Sequence, residues 1–188
     1  MATTVTVVTS NPGKHREIIA LMAPYGITVR RISEELPEPQ ADSLEPVVLA
    51  KLSAASELPG WVLVEDSGIF LEGLGGFPGV YSAYAYRTLG LAGVLRLLRG
   101  RPRGAVFRTV AGLRRGAARW LTRGSVRGRV ALRARGVNGF GYDPIFIPAE
   151  QNRTFAEMDA TEKDRYSHRG RAIRAAARRI LLEERGPA

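Results

Sequence analysis

The sequence predicts an α/β fold with a mixed sheet, and three observations carry that prediction. Short apolar or β-branched runs alternate with segments of helical period in the first half. A basic central stretch reads as antiparallel strands, and an amphipathic helix closes the chain. Residues 5–9 form the first run, a buried strand that breaks at Asn11-Pro12-Gly13. Residues 14–25 follow as a helix with Ile18, Leu21 and Met22 on one face. Residues 29–32 read as a second strand, and residues 34–42 as a proline- and acid-rich loop. Residues 44–58 are helical, stopped by Pro59-Gly60. Residues 61–64 are an apolar run bounded by turn residues, hence a buried strand ending at Glu65-Asp66. After a glycine-rich loop at 73–79, residues 82–98 are helical.

The basic stretch contains strands at 105–111, 119–122 and 125–132. In the last of these Val126, Gly128 and Val130 alternate with Arg127 and Arg129, a half-buried pattern. Asp159 and Glu162 have capping-box spacing, so a short helix starts there. Residues 171–184 close the chain, with Ile173, Ala176, Ala177, Ile180 and Leu181 on the apolar side. No repeat, linker or low-complexity segment interrupts the 188 residues, which suit one domain or two closely packed lobes sharing a core.

Composition removes several function classes. The chain has no cysteine, which excludes disulfides, thiolate nucleophiles and Cys-ligated zinc. No apolar run approaches the roughly 18 residues of a membrane span, and the first residues lack a signal-peptide pattern. A soluble protein of the cytoplasm is the expectation, with no membrane partner. The net charge is +10, and its distribution is uneven. Between Glu72 and Asp143 there are 14 arginines and no acidic residue, so the rest of the chain carries 14 − 18 = −4. Such a stretch attracts phosphates, or it is simply a solvated face. Arginine supplies 25 of the 28 basic residues, which fits a thermophile or a GC-rich genome.

Four constellations can carry chemistry. Thr9-Ser10-Asn11-Pro12-Gly13-Lys14 lies between a strand and a helix start, where unpaired backbone N–H groups and the helix dipole favour an anion. It lacks the first glycine of a Walker A loop, and His15 follows the lysine, so an ordinary capped turn is the competing reading. Glu65-Asp66-Ser67-Gly68 stands at a strand end, where α/β sheets place ligands, and its carboxylates suit Mg²⁺; an acidic turn is the alternative. Gly139-Phe140-Gly141-Tyr142-Asp143-Pro144 offers an aromatic that can stack on a base and a carboxylate that can accept from it, or merely a turn. Ser167-His168-Arg169 supplies donors for a carbonyl or phosphate oxygen, unless the histidine is only exposed.

Taken in order, these motifs together with Gly75-Gly76-Phe77-Pro78-Gly79-Val80-Tyr81-Ser82 and Phe155-Ala156-Glu157-Met158 resemble the Ham1/ITPase family of inosine/xanthosine triphosphate pyrophosphatases. The resemblance covers nearly the whole chain. It implies an elongated mixed sheet flanked by helices, two lobes with the active-site cleft between them, and a homodimer. It also implies Mg²⁺-dependent hydrolysis of ITP, dITP or XTP to a monophosphate and pyrophosphate, which cleanses the nucleotide pool. By motif match, Thr9, Ser10, Asn11, Pro12, Gly13 and Lys14 would hold the phosphates, with Ser67 contacting the chain. Asp66 would be the metal-associated base toward water, with Lys14 assisting catalysis and Glu65 and Glu45 helping to bind Mg²⁺. Phe140, within Gly139–Asp143, would stack on the base, and Gly141, Tyr142, Asp143, Lys163, His168 and Arg169 would line the nucleotide site.

The selectivity follows from donor and acceptor patterns. Inosine and xanthosine offer O6 and N1–H, which His168 or Arg169 and Asp143 can match, whereas adenine reverses both contacts. Unpaired buried partners of that kind discriminate by roughly 10⁴-fold or more. One departure stands out: many relatives have a phosphate-binding lysine five residues after the glutamate matched to Glu45. Here that position is Ala50, and Lys51 lies about 100° further round a helix. Two alternatives remain: a Maf-like pyrophosphatase acting on pyrimidine or modified nucleotides, and an arginine-rich nucleic-acid-binding protein. The second leaves Glu65 and Asp66 without a role, so a nucleic-acid partner is not expected.

Overall fold

The computed structural model describes residues 3–185. Strand β1 (Thr3–Val8) leads through Asn11 into helix α1 (Pro12–Met22), then strand β2 (Ile27–Ile32) and helix α2 (Leu44–Ala54). Strand β3 (Trp61–Leu71), helix α3 (Ser82–Leu97), and the long strands β4 (Gly104–Arg115) and β5 (Ala118–Val130) follow. Strand β6 (Phe146–Pro148) and helices α4 (Ala160–Tyr166) and α5 (His168–Arg185) complete the chain. The sheet order is β2-β1-β3-β4-β5-β6; β1 pairs parallel to β2 and β3, and all later pairs are antiparallel. This is the mixed α/β sheet that the sequence predicts.

The period of a strand sorts its side chains between two layers. Val5, Val7, Trp61, Leu63, Ala111 and Leu113 face α1 and α5, whereas Val8, Val62, Val64 and Val110 face α2. A third cluster around Ile69, Leu71, Phe107, Phe146 and Phe155 fills the far end of the long strands. Within α5, Ala172, Ile173, Ala176, Ala177 and Ile180 are wholly buried, as its amphipathic pattern requires.

The differences from the sequence reading have local causes. Strand β3 does not end at Glu65-Asp66 but runs through them to Leu71, fully paired with β4. The two predicted arginine-rich strands at 119–122 and 125–132 are one strand, because Arg123 and Gly124 keep pairing with Val110 and Thr109. Helix α1 stops at Met22 and a 3-10 turn carries Ala23–Tyr25, while α2 stops at Ala54 rather than reaching residue 58. Helix α3 is broken at Gly90, which takes φ 62 and ψ 178. The last helix begins at His168, with Ser167 Oγ accepting from the Gly170 N–H, so His168 and Arg169 lie inside it. Asp159 caps α4 by accepting from the Glu162 N–H at 2.8 Å, as its spacing predicts.

Candidate active site

The turn after β1 is built by its own side chains. Asn11 Oδ1 accepts from the N–H groups of Gly13 (2.8 Å) and Lys14 (3.1 Å), and Pro12 opens the helix, where a missing N–H costs nothing. Thr9 Oγ1 accepts from the Asn11 N–H. Thr9, Ser10, Asn11 and Lys14 line a cleft of about 500 Å³ together with Glu38, Lys51 and Glu65. Gly13 does not line it: a Cβ there would fall 2.6 Å from the Phe140 ring, so this glycine is required by the phenylalanine.

The continuity of β3 sends its two acids to opposite faces. Asp66 looks toward α2, where Lys51 Nζ lies 2.8 Å from Oδ1. Lys51 also lines the cleft beside Lys14 and Glu38. Burial pushes the Asp66 carboxyl above its usual range despite the opposing pull of Lys14 and Lys51. Burial alone would lower Lys51, but Asp66 and Glu38 raise it. Glu65 looks the other way, toward α1 and α5. Its Oε1 lies 3.0 Å from Lys14 Nζ and 3.5 Å from Arg169 Nε, and its Oε2 accepts from Ser67 Oγ at 2.7 Å. Burial would raise Glu65, but Arg169 and Lys14 outweigh it and hold the carboxyl well below the usual range.

A packed polar network lies beyond Glu65. Lys163 Nζ sits 2.6 Å from both Glu17 Oε1 and Asp143 Oδ2, and Arg169 reaches Glu17 Oε2 at 2.5 Å and Ser67 Oγ at 3.2 Å. Asp143 Oδ2 also accepts from the Phe140 N–H at 2.8 Å. Burial raises Asp143, whereas on Glu17 the two cations overcome burial and lower it. The Phe140 ring has Lys163 Nζ 5.1 Å and Arg169 Cζ 5.3 Å from its centroid, within cation–π range. His168 is buried and stacks on Phe107 at 4.2 Å, its Nδ1 has no partner, and burial drives its pKa well below 6.5, so it is neutral.

The structure thus brings Thr9, Ser10, Asn11, Lys14, Lys51, Glu65, Asp66 and Ser67 together, and joins them through Arg169 to Phe140, Asp143 and Lys163. Besides Gly13, which packs against Phe140, and His168, which stacks on Phe107, two residues point to other parts of the fold. Glu45 lines a separate cavity and pairs with Arg123 at 2.8 Å, because the first turn of α2 faces β5. Tyr142 packs its ring in the core and donates its hydroxyl to the Ser82 carbonyl at 2.9 Å. Two residues were not foreseen. Glu38, from the acidic loop, lies 2.6 Å from Lys51 Nζ, and nothing local marks it. Glu17 lies three residues after Lys14 on α1, and that same-face spacing was the available signal.

Among the described residues no group of three or more histidines or acids is placed to hold a metal unaided. The oxygen-only pair Glu38 and Asp66, both within 2.8 Å of Lys51 Nζ, does suit a magnesium ion that takes its remaining ligands from phosphates and water. The charge balance agrees: four carboxylates (Glu34, Glu35, Glu38, Glu65) line the cleft against three cations (Lys14, Lys51, Arg87). A triphosphate entering such a cleft needs additional positive charge. Also among the described residues, no helix is long and apolar enough to cross a membrane.

Comparison with known proteins agrees with this architecture. The chain is 46% identical over 170 residues to a dITP/XTP pyrophosphatase of Pyrococcus horikoshii, covering 89% of this chain and 91% of that one. It is 48% identical over 174 residues to the enzyme of the same name from Thermococcus kodakarensis, covering 90% and 93%. A solved HAM1 protein from Coxiella burnetii superposes with a TM-score of 0.79 at 29% identity, covering 96% of this chain and 99% of that one. The Ham1 family model matches residues 5–179, which take in every strand from β3 to β6 and the whole of the cleft. The chain belongs to the Ham1 family.

Proposed function

We propose that the chain hydrolyses non-standard purine nucleoside triphosphates (ITP, dITP and XTP) to the monophosphate and pyrophosphate, with Mg²⁺ as cofactor. One observation carries the mechanistic reading: Lys51 lines the same cleft as Thr9, Ser10, Asn11 and Lys14, and its ammonium pairs with the buried Asp66 carboxylate 2.8 Å away. The turn and Lys14 hold the phosphates. Water attacks the α-phosphorus, its proton passes to Asp66, and the bond to the bridging oxygen breaks so that pyrophosphate leaves. A carboxylate raised by burial is better matched to that proton than an exposed one. Glu38 and Asp66 would hold Mg²⁺, which supplies charge neutralisation at the phosphates. Glu65 instead fixes Lys14, Arg169 and Ser67.

The base lies on Phe140, against the network of Lys163, Asp143 and Arg169. Both contacts of Asp143 within the chain fall on Oδ2, leaving Oδ1 for N1–H of the base. Arg169 or neutral His168 donates to O6. The family resemblance further supports one domain of two lobes with the cleft between them, a homodimer, and action in the cytoplasm.

The test is pyrophosphate release from ITP, XTP, GTP and ATP, with Mg²⁺ and with excess EDTA. Metal-dependent release from ITP and XTP, with little from GTP and ATP, is the expected result. Release that persists in EDTA rejects the metal, and preference for UTP or dTTP rejects the base assignment. In the same assay Glu38→Gln raises the Mg²⁺ needed for half-maximal rate, whereas Glu45→Gln leaves it unchanged.

A further inference from the structure

The cations that line the cleft or the network beyond Glu65 are matched to carboxylates, with one exception. Lys14 is held by Glu65, Lys51 by Glu38 and Asp66, Lys163 by Glu17 and Asp143, and Arg169 by Glu17. Arg87 lines the same cleft, is exposed, and makes no ion pair or hydrogen bond among the described residues. Its place is fixed by the first half of α3. Ser82 and Ala85 are buried and pin the inner side of that segment, which ends where Gly90 leaves the helical region. Ala83 and Arg87, four residues apart, both line the cleft. An alanine at 83 leaves room, and the guanidinium one turn further on stands beside it.

We infer that Arg87 binds the β,γ end of the triphosphate, the part that leaves as pyrophosphate; this rests on the pyrophosphatase reading. A guanidinium presents a planar fork that matches two phosphate oxygens, and it stays charged at any working pH. The cleft that Arg87 lines contains Thr9, Ser10, Asn11 and Lys14 but none of Phe140, Asp143, Lys163, His168 or Arg169. The α-phosphate adjoins the nucleoside and so lies toward those absent residues, which leaves the distal phosphates for Arg87. As the uncommitted cation in a cleft with more carboxylates than cations, it can bind an anion without first breaking an internal ion pair.

The experiment compares two inhibitors of ITP hydrolysis, inorganic tripolyphosphate and inosine monophosphate, in wild type, R87A and R87K. Arg87 is exposed, so R87A keeps the fold, which a thermal melt verifies, with R87Q as a second variant. In R87A inhibition by tripolyphosphate weakens by about tenfold or more, the scale of a lost charged hydrogen bond, while inhibition by the monophosphate stays within about twofold. R87K recovers part of the loss, since lysine restores the charge without the fork. Unchanged tripolyphosphate inhibition, or equal weakening of both inhibitors, overturns the assignment. Should wild type release no pyrophosphate from any triphosphate, the enzymatic reading fails instead. Calorimetric titration of tripolyphosphate into wild type and R87A then still decides the role of Arg87.

Discussion

The two ends of the site are built on opposite plans. At the end we propose for the phosphates the cleft is open to solvent at Glu38 and Arg87, over a buried Lys51, Glu65 and Asp66. At the end we propose for the base Lys163, Asp143, Arg169 and His168 are each less than 5% exposed, and Glu17 binds two of them at once. The lesson is one of preorganisation. Selecting a base requires donors and acceptors fixed in advance. Lys163, Asp143 and Arg169 stay buried without a ligand through their ion pairs with one another and with Glu17, while His168 Nδ1 is left without a partner. Binding a mobile, highly charged chain tolerates an open cleft that metal and substrate complete.

Breaking the phosphate end should cost the most. Asp66→Asn is isosteric and keeps a hydrogen bond to Lys51, so folding and nucleotide binding persist while turnover falls by about 10²–10⁴-fold. Single-turnover assays beside equilibrium binding check this, and near-normal turnover removes Asp66 from the mechanism. Breaking the base end should instead cost stability. Glu17→Ala takes one carboxylate from each of two buried cations, leaving Lys163 to Asp143 and Arg169 to Glu65 and Ser67, with an expected loss of about 1–3 kcal/mol in urea unfolding. A loss below about 1 kcal/mol would mean that the network relaxes and is not preorganised.

Smaller effects sharpen the same contrast. Phe140→Ala weakens binding of every purine by about 1–3 kcal/mol through lost stacking. Gly13→Ala should act in the same direction, since its methyl group displaces the Phe140 ring. An unchanged KM in both variants would count against the stacking role. The pH response is the mildest. Burial depresses His168, so the unfolded chain takes up that proton first as pH falls. Its contribution is fully present above about 6.5 and is lost below that value. His168→Phe keeps the stack on Phe107 and removes the titration. The melting temperature of this variant should therefore fall less than that of wild type between pH 7 and pH 5, and parallel curves would exclude His168 as the cause.

Much of the site was legible where its chemistry is local. The Thr9–Lys14 turn announces itself because Asn11, Pro12 and Gly13 each satisfy a rule of helix starts, and Asp159 does the same for α4. Strand β3 was read too short because its apolar run stops at Val64, although the ladder with β4 continues across two acids to Leu71. Those acids can lie inside a strand only because Lys14, Arg169 and Lys51 arrive from three helices, which no window along β3 contains.

By itself, the sequence determined the mixed α/β class, the order of the motifs, and the residues of the Thr9–Lys14 turn and the Gly139–Asp143 loop. These follow from local hydrogen bonding and from hydrophobic period, which act over a few residues. Only the tertiary structure decided that Glu65 and Asp66 face opposite layers, that Glu38 rather than Glu45 joins Lys51, and that Glu17 ties Lys163 to Arg169. Each of these depends on charges brought together from distant segments. Their pairing is set by the packing of helices on the sheet, because a buried charge is tolerated only where a partner is delivered to it.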